Sequence, residues 1–149
     1  MIQIFKFHRN LKVGECLSSL ILENIDLSFE VDLIIPVPSH PLEEIKRGFS
    51  HMGYLTHLLS KKMEITFYDG LRRKMFPLFG RTQKSLSRPH RIKNNLHLYL
   101  KEINLVKNKK VLLIDDVTTT GSSIKACADI LLKNGAKKVQ VICLSLTPY

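Results

Sequence analysis

Apolar and polar positions follow two different periods along this chain. Val13, Cys16, Leu17, Leu20, Ile21 and Asn24 keep the three-and-four spacing of one helix face, which predicts an amphipathic helix from Val13 to Asn24. Val31-Asp32-Leu33-Ile34-Ile35 is a short apolar run stopped by Pro36 and Pro38. It predicts a buried strand that ends in a rigid loop from Pro36 to Pro41, because proline cannot continue a central strand. Phe49, Met52, Leu55 and Leu59 mark a second helical face after Gly48, and Ile65 to Tyr68 predicts a strand followed by a turn at Asp69-Gly70.

The last third has the clearest pattern. Val111 to Ile114 is a continuous buried strand, and a polar turn from Asp115 to Ser123 leads into a helix. Ile124, Cys127, Ala128 and Leu131 share one face of that helix. Asn134-Gly135 ends it, with Gly135 able to take the left-handed conformation, and Val139 to Leu146 is another apolar strand. A strand–helix–strand unit belongs in a parallel sheet covered on both faces, where ligands bind beyond the carboxyl ends of the strands. The expectation is one α/β domain over residues 1–149, a length that supports one core rather than two.

Charge changes this picture in one place. Lys and Arg total 23 against 13 Asp and Glu, a net charge of +10. Residues 1–70 carry 7 basic and 9 acidic side chains, and residues 111–149 carry 4 and 3. The excess therefore lies in residues 71–110, with 12 basic side chains and 1 acidic. Pro77, Gly80 and Pro89 break regularity there, predicting a long loop with a short helix after Pro89 and a strand from His97 to Leu100. A solvated loop and an anion-binding segment both account for such a stretch.

Other chemistries are disfavoured. No apolar run reaches the length of a membrane span, and the first residues lack the pattern of a signal peptide. Cys16, Cys127 and Cys143 are scattered, which argues against a disulfide framework or a cysteine zinc site and fits a reducing cytoplasm. The 6 histidines show no metal-ligand spacing and are expected at the surface or in loops.

The turn Asp115-Asp116-Val117-Thr118-Thr119-Thr120-Gly121-Ser122-Ser123 holds the candidate chemistry. Small hydroxyl residues and a glycine at the start of a helix let backbone N–H groups converge on an anion, aided by the helix dipole. Two adjacent carboxylates at a strand end suit sugar hydroxyls, or a magnesium ion reached through water. A ribose 5-phosphate has both features. The turn lacks the lysine of a P-loop and the three glycines of a dinucleotide fingerprint. A receiver domain needs more units than the 33 residues after Asp116 supply. Helix capping alone needs one such residue, whereas this turn has five and two carboxylates.

Val111-Leu112-Leu113-Ile114-Asp115-Asp116-Val117-Thr118-Thr119-Thr120-Gly121-Ser122-Ser123 resembles the signature of type I phosphoribosyltransferases for phosphoribosyl pyrophosphate (PRPP). Ile34 to Pro41, Arg47-Gly48-Phe49, then Gln83, Leu86-Ser87, Arg91 and Asn94 are similar to the competence protein F (ComF, GntX-like) branch. The resemblance covers essentially the whole chain. Ser50 and His51 depart from the R-G-F-N-Q pattern of that branch. The chain also begins where the transferase-like domain should, without the four-cysteine zinc module that usually precedes it.

The resemblance implies a single-domain parallel-sheet fold with a flexible basic loop, and a magnesium-dependent transferase that displaces pyrophosphate from PRPP. Asp115 and Asp116 would be the catalytic pair, holding the ribose hydroxyls and Mg²⁺ through water. Thr118, Thr119, Thr120, Gly121, Ser122 and Ser123 would bind the 5-phosphate. Pro38, Ser39, His40, Arg47, Arg72 and Arg73 would face the pyrophosphate. Arg81, Gln83, Lys84, Arg88 and Arg91 would belong to the flap that closes over it. Transferases for 6-oxopurines have an aspartate where Thr119 stands, so such bases are disfavoured and the acceptor stays open. The branch is associated with DNA uptake. That association, with the basic stretch, keeps a second reading open: a non-catalytic protein that binds PRPP, a nucleotide or single-stranded nucleic acid. A homodimer is a family-level expectation.

Overall fold

The computed structural model describes residues 11–74, 98–118 and 121–146. Helix α1 (Leu11–Asn24) leads to strand β1 (Leu33–Pro36), followed by helices α2 (Pro41–Arg47) and α3 (His51–Met63) and strand β2 (Thr66–Phe67). Strands β3 (Leu71–Arg73) and β4 (Leu98–Leu100) form a separate antiparallel pair. The chain then forms a short 3₁₀ turn (Ile103–Leu105), strand β5 (Lys110–Thr118), helix α4 (Ser122–Lys133) and strand β6 (Lys138–Leu146).

The main sheet is parallel throughout, in the order β2-β1-β5-β6. Strand alternation sorts its side chains into two layers. Leu33, Ile35, Val111 and Leu113 face Cys127 and Leu131 of α4. Ile34, Leu112 and Ile114 face Leu17 of α1 and Met52, Leu55 and Leu59 of α3. Helices therefore cover both faces, which is why β1 and β5 are apolar at consecutive positions. Ile34, Ile35, Leu112, Leu113 and Ile114 are fully buried, each contributing about 1.5–3 kcal/mol of hydrophobic stabilisation.

The connection from β1 runs outward to β2, and the connection from β5 runs the other way to β6. The strand order reverses between β1 and β5, where open α/β sheets leave a crevice at their carboxyl edge. The two strands stay paired as far as Pro36 and Ile114, and Val37 N–H still donates to the Ile114 carbonyl at 2.9 Å.

Four expectations need correction. Pro36 is part of β1 rather than its stop. It is the last residue of the strand, where a missing donor interrupts the ladder least, and Val37 N–H makes the next bond to β5. The polar turn expected from Asp115 begins later, because β5 continues through Thr118. Strand β6 extends alongside it, with Asp115 opposite Cys143 and Val117 opposite Ser145, so pairing overrides local polarity. The basic stretch opens as strand β3 rather than as loop, pairing Leu71 with Leu100 and Arg73 with Leu98. Leu71 is buried there and Leu98 and Leu100 pack on the same core. The fourth correction is His51, described below. Helix α2 had no counterpart in the hydrophobic pattern. It is set by its ends: His40 Nδ1 accepts from Leu42 N–H at 3.3 Å, Pro41 starts the helix, and Gly48 closes it at φ +71°.

The expected helix end at Gly135 is present, with φ +91°. The expected short helix after Pro89 lies outside the described residues. Among those residues, no helix is long and apolar enough to cross a membrane.

Candidate functional site

Asp115 and Asp116 stand on β5 just past the point where β1 leaves it, at the carboxyl edge of the strand-order reversal. Asp115 Oδ1 accepts from Asp116 N–H at 2.9 Å, which ties the first carboxylate to the backbone of the second. Asp116 Oδ2 is 2.9 Å from Nε2 of His51, and its side chain is only 14% exposed. His51 is 2% exposed in the first turn of α3, contrary to the surface or loop position expected for the histidines. It is held there because Met52, Leu55 and Leu59 anchor α3 on the sheet, turning the start of the helix toward the end of β5. The Nδ1 atom of His51 lies 3.3 Å from Arg47 Nη1. Arg47 Nη2 in turn donates to Glu43 Oε2 at 2.8 Å. The other two described histidines, His40 and His57, are exposed as expected.

The helix after the acidic pair starts at Ser122, and its preceding residue Gly121 has φ +68°. Gly121 has no side chain to cap the first turn, and no side-chain hydrogen bond caps it among the described residues. Ser122 is exposed and Ser123 half-buried at this end. Thr118 closes β5, while Thr119 and Thr120 lie outside the described residues.

The basic side of the site comes from β3. Arg73 Nη2 lies 3.5 Å from Ser123 Oγ, bringing the β3–β4 pair to the start of α4. Arg72 is fastened to Asp69, with Nη2 donating to Oδ2 at 2.7 Å. This hydrogen bond raises the pKa of the guanidinium above its ordinary value, against the opposing effect of burial. A cleft of about 110 Å³ is lined by Pro38, Ser39, Glu44, Ser50, Arg72 and Arg73, among others. A more open hollow of about 540 Å³ beside it includes Pro41, Ile45, Arg73, Lys74 and Tyr99.

Four of the six residues expected at the pyrophosphate thus share one cleft: Pro38, Ser39, Arg72 and Arg73. His40 caps α2 and is exposed, and Arg47 engages Glu43 and His51. Arg81, Gln83, Lys84, Arg88 and Arg91 lie outside the described residues. They fall between β3 and β4, whose pairing brings the two ends of that segment together at Arg73 and Leu98. The residues not anticipated are His51 and Ser50. The sequence marks them only as a departure from the R-G-F-N-Q pattern, and the helix breaks between Arg47 and His51, so their spacing is no helical signal.

Two thiols bordering the site are held in the protonated form. Burial pushes the Cys127 thiol up to about 12. Burial, followed by the charges of Asp115 and Asp116, pushes Cys143 up to about 11.

Residues 64–148 match the profile of the phosphoribosyl transferase domain. The chain belongs to that family. The match includes β5, the turn after it and α4, and so covers both the acidic pair and the open helix start. This phosphoribosyl transferase domain is 29% identical to the DNA utilization protein YhgH of Shigella flexneri, over 99% of this chain and 66% of that protein. It is 28% identical to competence protein F of Haemophilus influenzae, over 95% of this chain and 64% of that protein. The chain therefore spans just under two thirds of the length of these relatives. In fold it is similar to the adenine phosphoribosyltransferase of Thermoanaerobacter pseudethanolicus, with a TM-score of 0.60 and 16% identity over 93% of this chain and 70% of that one. The adenine phosphoribosyltransferase of Giardia lamblia gives the same TM-score of 0.60, at 15% identity over 97% of this chain and 71% of that one. The expected fold class, a single-domain parallel-sheet phosphoribosyltransferase fold, and the expected kinship with competence protein F both hold.

Proposed function

We propose that this domain binds PRPP at the carboxyl edge of β1 and β5 and transfers its phosphoribosyl group to an acceptor, with pyrophosphate leaving. The observation that carries this reading is the placement of Asp115 and Asp116 at the strand-order reversal, immediately before a helix start without a capping side chain. The Ser122 and Ser123 end of α4, with Thr118, Thr119, Thr120 and Gly121, takes the 5-phosphate on backbone N–H groups. The carboxylates of Asp115 and Asp116 accept hydrogen bonds from the ribose hydroxyls. Ser39, Arg72 and Arg73 supply donors and positive charge for the pyrophosphate, on which negative charge grows as the anomeric bond breaks.

A magnesium ion suits this donor set. It takes one or two carboxylates, keeps several waters and completes its shell with phosphate oxygens, and two neighbouring carboxylates are what β5 offers. Asp115 and Asp116 would hold it through water, and when bound it supplies charge neutralisation for the leaving pyrophosphate. The chain's own residues orient the sugar between the acidic pair and the basic cleft, which restricts the ring to one approach by the acceptor. The work would take place in the cytoplasm, which the scattered cysteines suit, and the names of the relatives concern DNA utilization and competence.

The test is thermal unfolding with and without PRPP and Mg²⁺. Ligand at about 100 times its dissociation constant adds about 2.7 kcal/mol, a rise of about 5–10 °C for a domain of this size. Asp116→Asn removes most of that rise. Equal melting temperatures with and without PRPP would refute the reading. A pyrophosphate-release screen over bases and amines then identifies the acceptor.

A second reading is favoured by one observation, the hollow in which Tyr99 stands beside Arg73 and Lys74. An exposed aromatic ring next to cations is what single-stranded nucleic acid uses for stacking and phosphate contact.

A further inference from the structure

Asp116 is held by a side chain from outside the Asp115 to Ser123 segment, on α3. We propose that His51 is a positioning residue for Asp116, setting the direction of the carboxylate that meets the ribose. This role rests on the ribose-phosphate reading above.

The two flanking groups favour one tautomer of the ring. A guanidinium can only donate, so Arg47 Nη1, 3.3 Å from His51 Nδ1, pairs best with a lone pair on that nitrogen. The ring proton is then on Nε2, which donates to Asp116 Oδ2 at 2.9 Å. Turning the ring over would place C–H groups against both partners. Glu43 holds Arg47 from the far side through the 2.8 Å contact of Nη2. Orientation thus passes from α2, through the buried ring at the start of α3, to the end of β5.

The surroundings argue against a simple filling role. An imidazole that is 2% exposed loses solvation on burial and is tolerated only when both nitrogens are satisfied. Its neighbour Met52 and the next turn, Leu55, supply the apolar contact with the sheet. What the histidine adds is a donor aimed at a carboxylate that is itself 14% exposed. A hydrogen bond to a charged group in such a place is stronger and more directional than one in water. Support of this kind, from a packed helix, is how a functional side chain is kept in one orientation.

The test compares His51→Gln with His51→Met in this chain. Glutamine restores an N–H for Asp116 and a carbonyl oxygen for Arg47, whereas methionine fills similar space with neither. PRPP affinity is measured calorimetrically in the presence of Mg²⁺. The glutamine variant is expected within about threefold of wild type and the methionine variant weaker by about tenfold or more. A methionine variant that binds as well as wild type overturns the positioning role alone. A wild-type protein that takes up no PRPP overturns the ribose-phosphate reading and the positioning role together. Imidazole nitrogen NMR of the wild type gives a check that needs neither variant nor ligand. A proton on Nε2 with Nδ1 unprotonated is expected, and the opposite tautomer overturns the proposal.

Discussion

Arg73 Nη2 lies 3.5 Å from Ser123 Oγ, joining the last residue of β3 to the first turn of α4. The Nε atom of the same guanidinium is buried without a hydrogen-bond partner among the described residues. A buried donor in that condition raises the energy of the free protein and is relieved by an arriving anion. Replacing Arg73 by methionine is therefore expected to change the unliganded melting temperature by less than about 3 °C. It should also remove at least half of the rise caused by PRPP with Mg²⁺. A variant that keeps the full rise would separate Arg73 from the ligand.

Tyr68 ties the base of the β3–β4 pair to the segment that leads to β5. Its hydroxyl donates to the Glu102 carbonyl at 3.2 Å and accepts from Glu102 N–H at 2.9 Å. Tyr68→Phe removes both bonds while keeping the ring, and a loss of about 1–2 kcal/mol is expected from urea denaturation. Gly70 sits against the same ring, and a Cβ there would fall 1.9 Å from Tyr68 Cζ. Gly70→Ala must therefore displace the ring and should destabilise the fold more than Tyr68→Phe does. The reverse order would mean that the tyrosine contact contributes more than the close approach permits.

The three thiols should react in a fixed order. Thiolate is the reactive form, and a raised pKa keeps the thiol protonated until the pH approaches the raised value. Cys127 at about 12 and Cys143 at about 11 are both protonated at pH 8. Cys16 is exposed on α1. Mass spectrometry after brief alkylation of the native protein at pH 8 should find Cys16 modified first and Cys127 last. Modification of Cys127 at the rate of Cys16 would show that the α4 face of the core opens readily.

Nucleic acid binding through the basic segment predicts a steep dependence on salt, because each neutralised phosphate releases a counterion. Labelled single-stranded DNA titrated at 50 and 200 mM salt should lose affinity by about tenfold or more if several cations are engaged. Replacing Arg81, Lys84 and Arg88 together should flatten that dependence. Tyr99→Ala should weaken binding by about 1–3 kcal/mol if the ring stacks on a base. Absence of binding at 50 mM salt would dispose of this second reading.

Sequence by itself determined the parallel α/β core and the chemistry of the acidic turn. Both are local in origin: runs such as Leu33 to Ile35 and Val111 to Ile114 are apolar at every position because helices cover both faces. The carboxylates and small hydroxyl residues are contiguous in the chain from Asp115 to Ser123. Only the tertiary structure decided where β5 ends, because that depends on β6 running beside it. It also decided that Leu71 to Arg73 is a strand, since its partner begins 25 residues later at Leu98. The contact of His51 with Asp116 spans 65 residues and joins a helix start to a strand end. No local pattern distinguishes that histidine from an exposed one, because its burial is set by how α3 lies on the sheet.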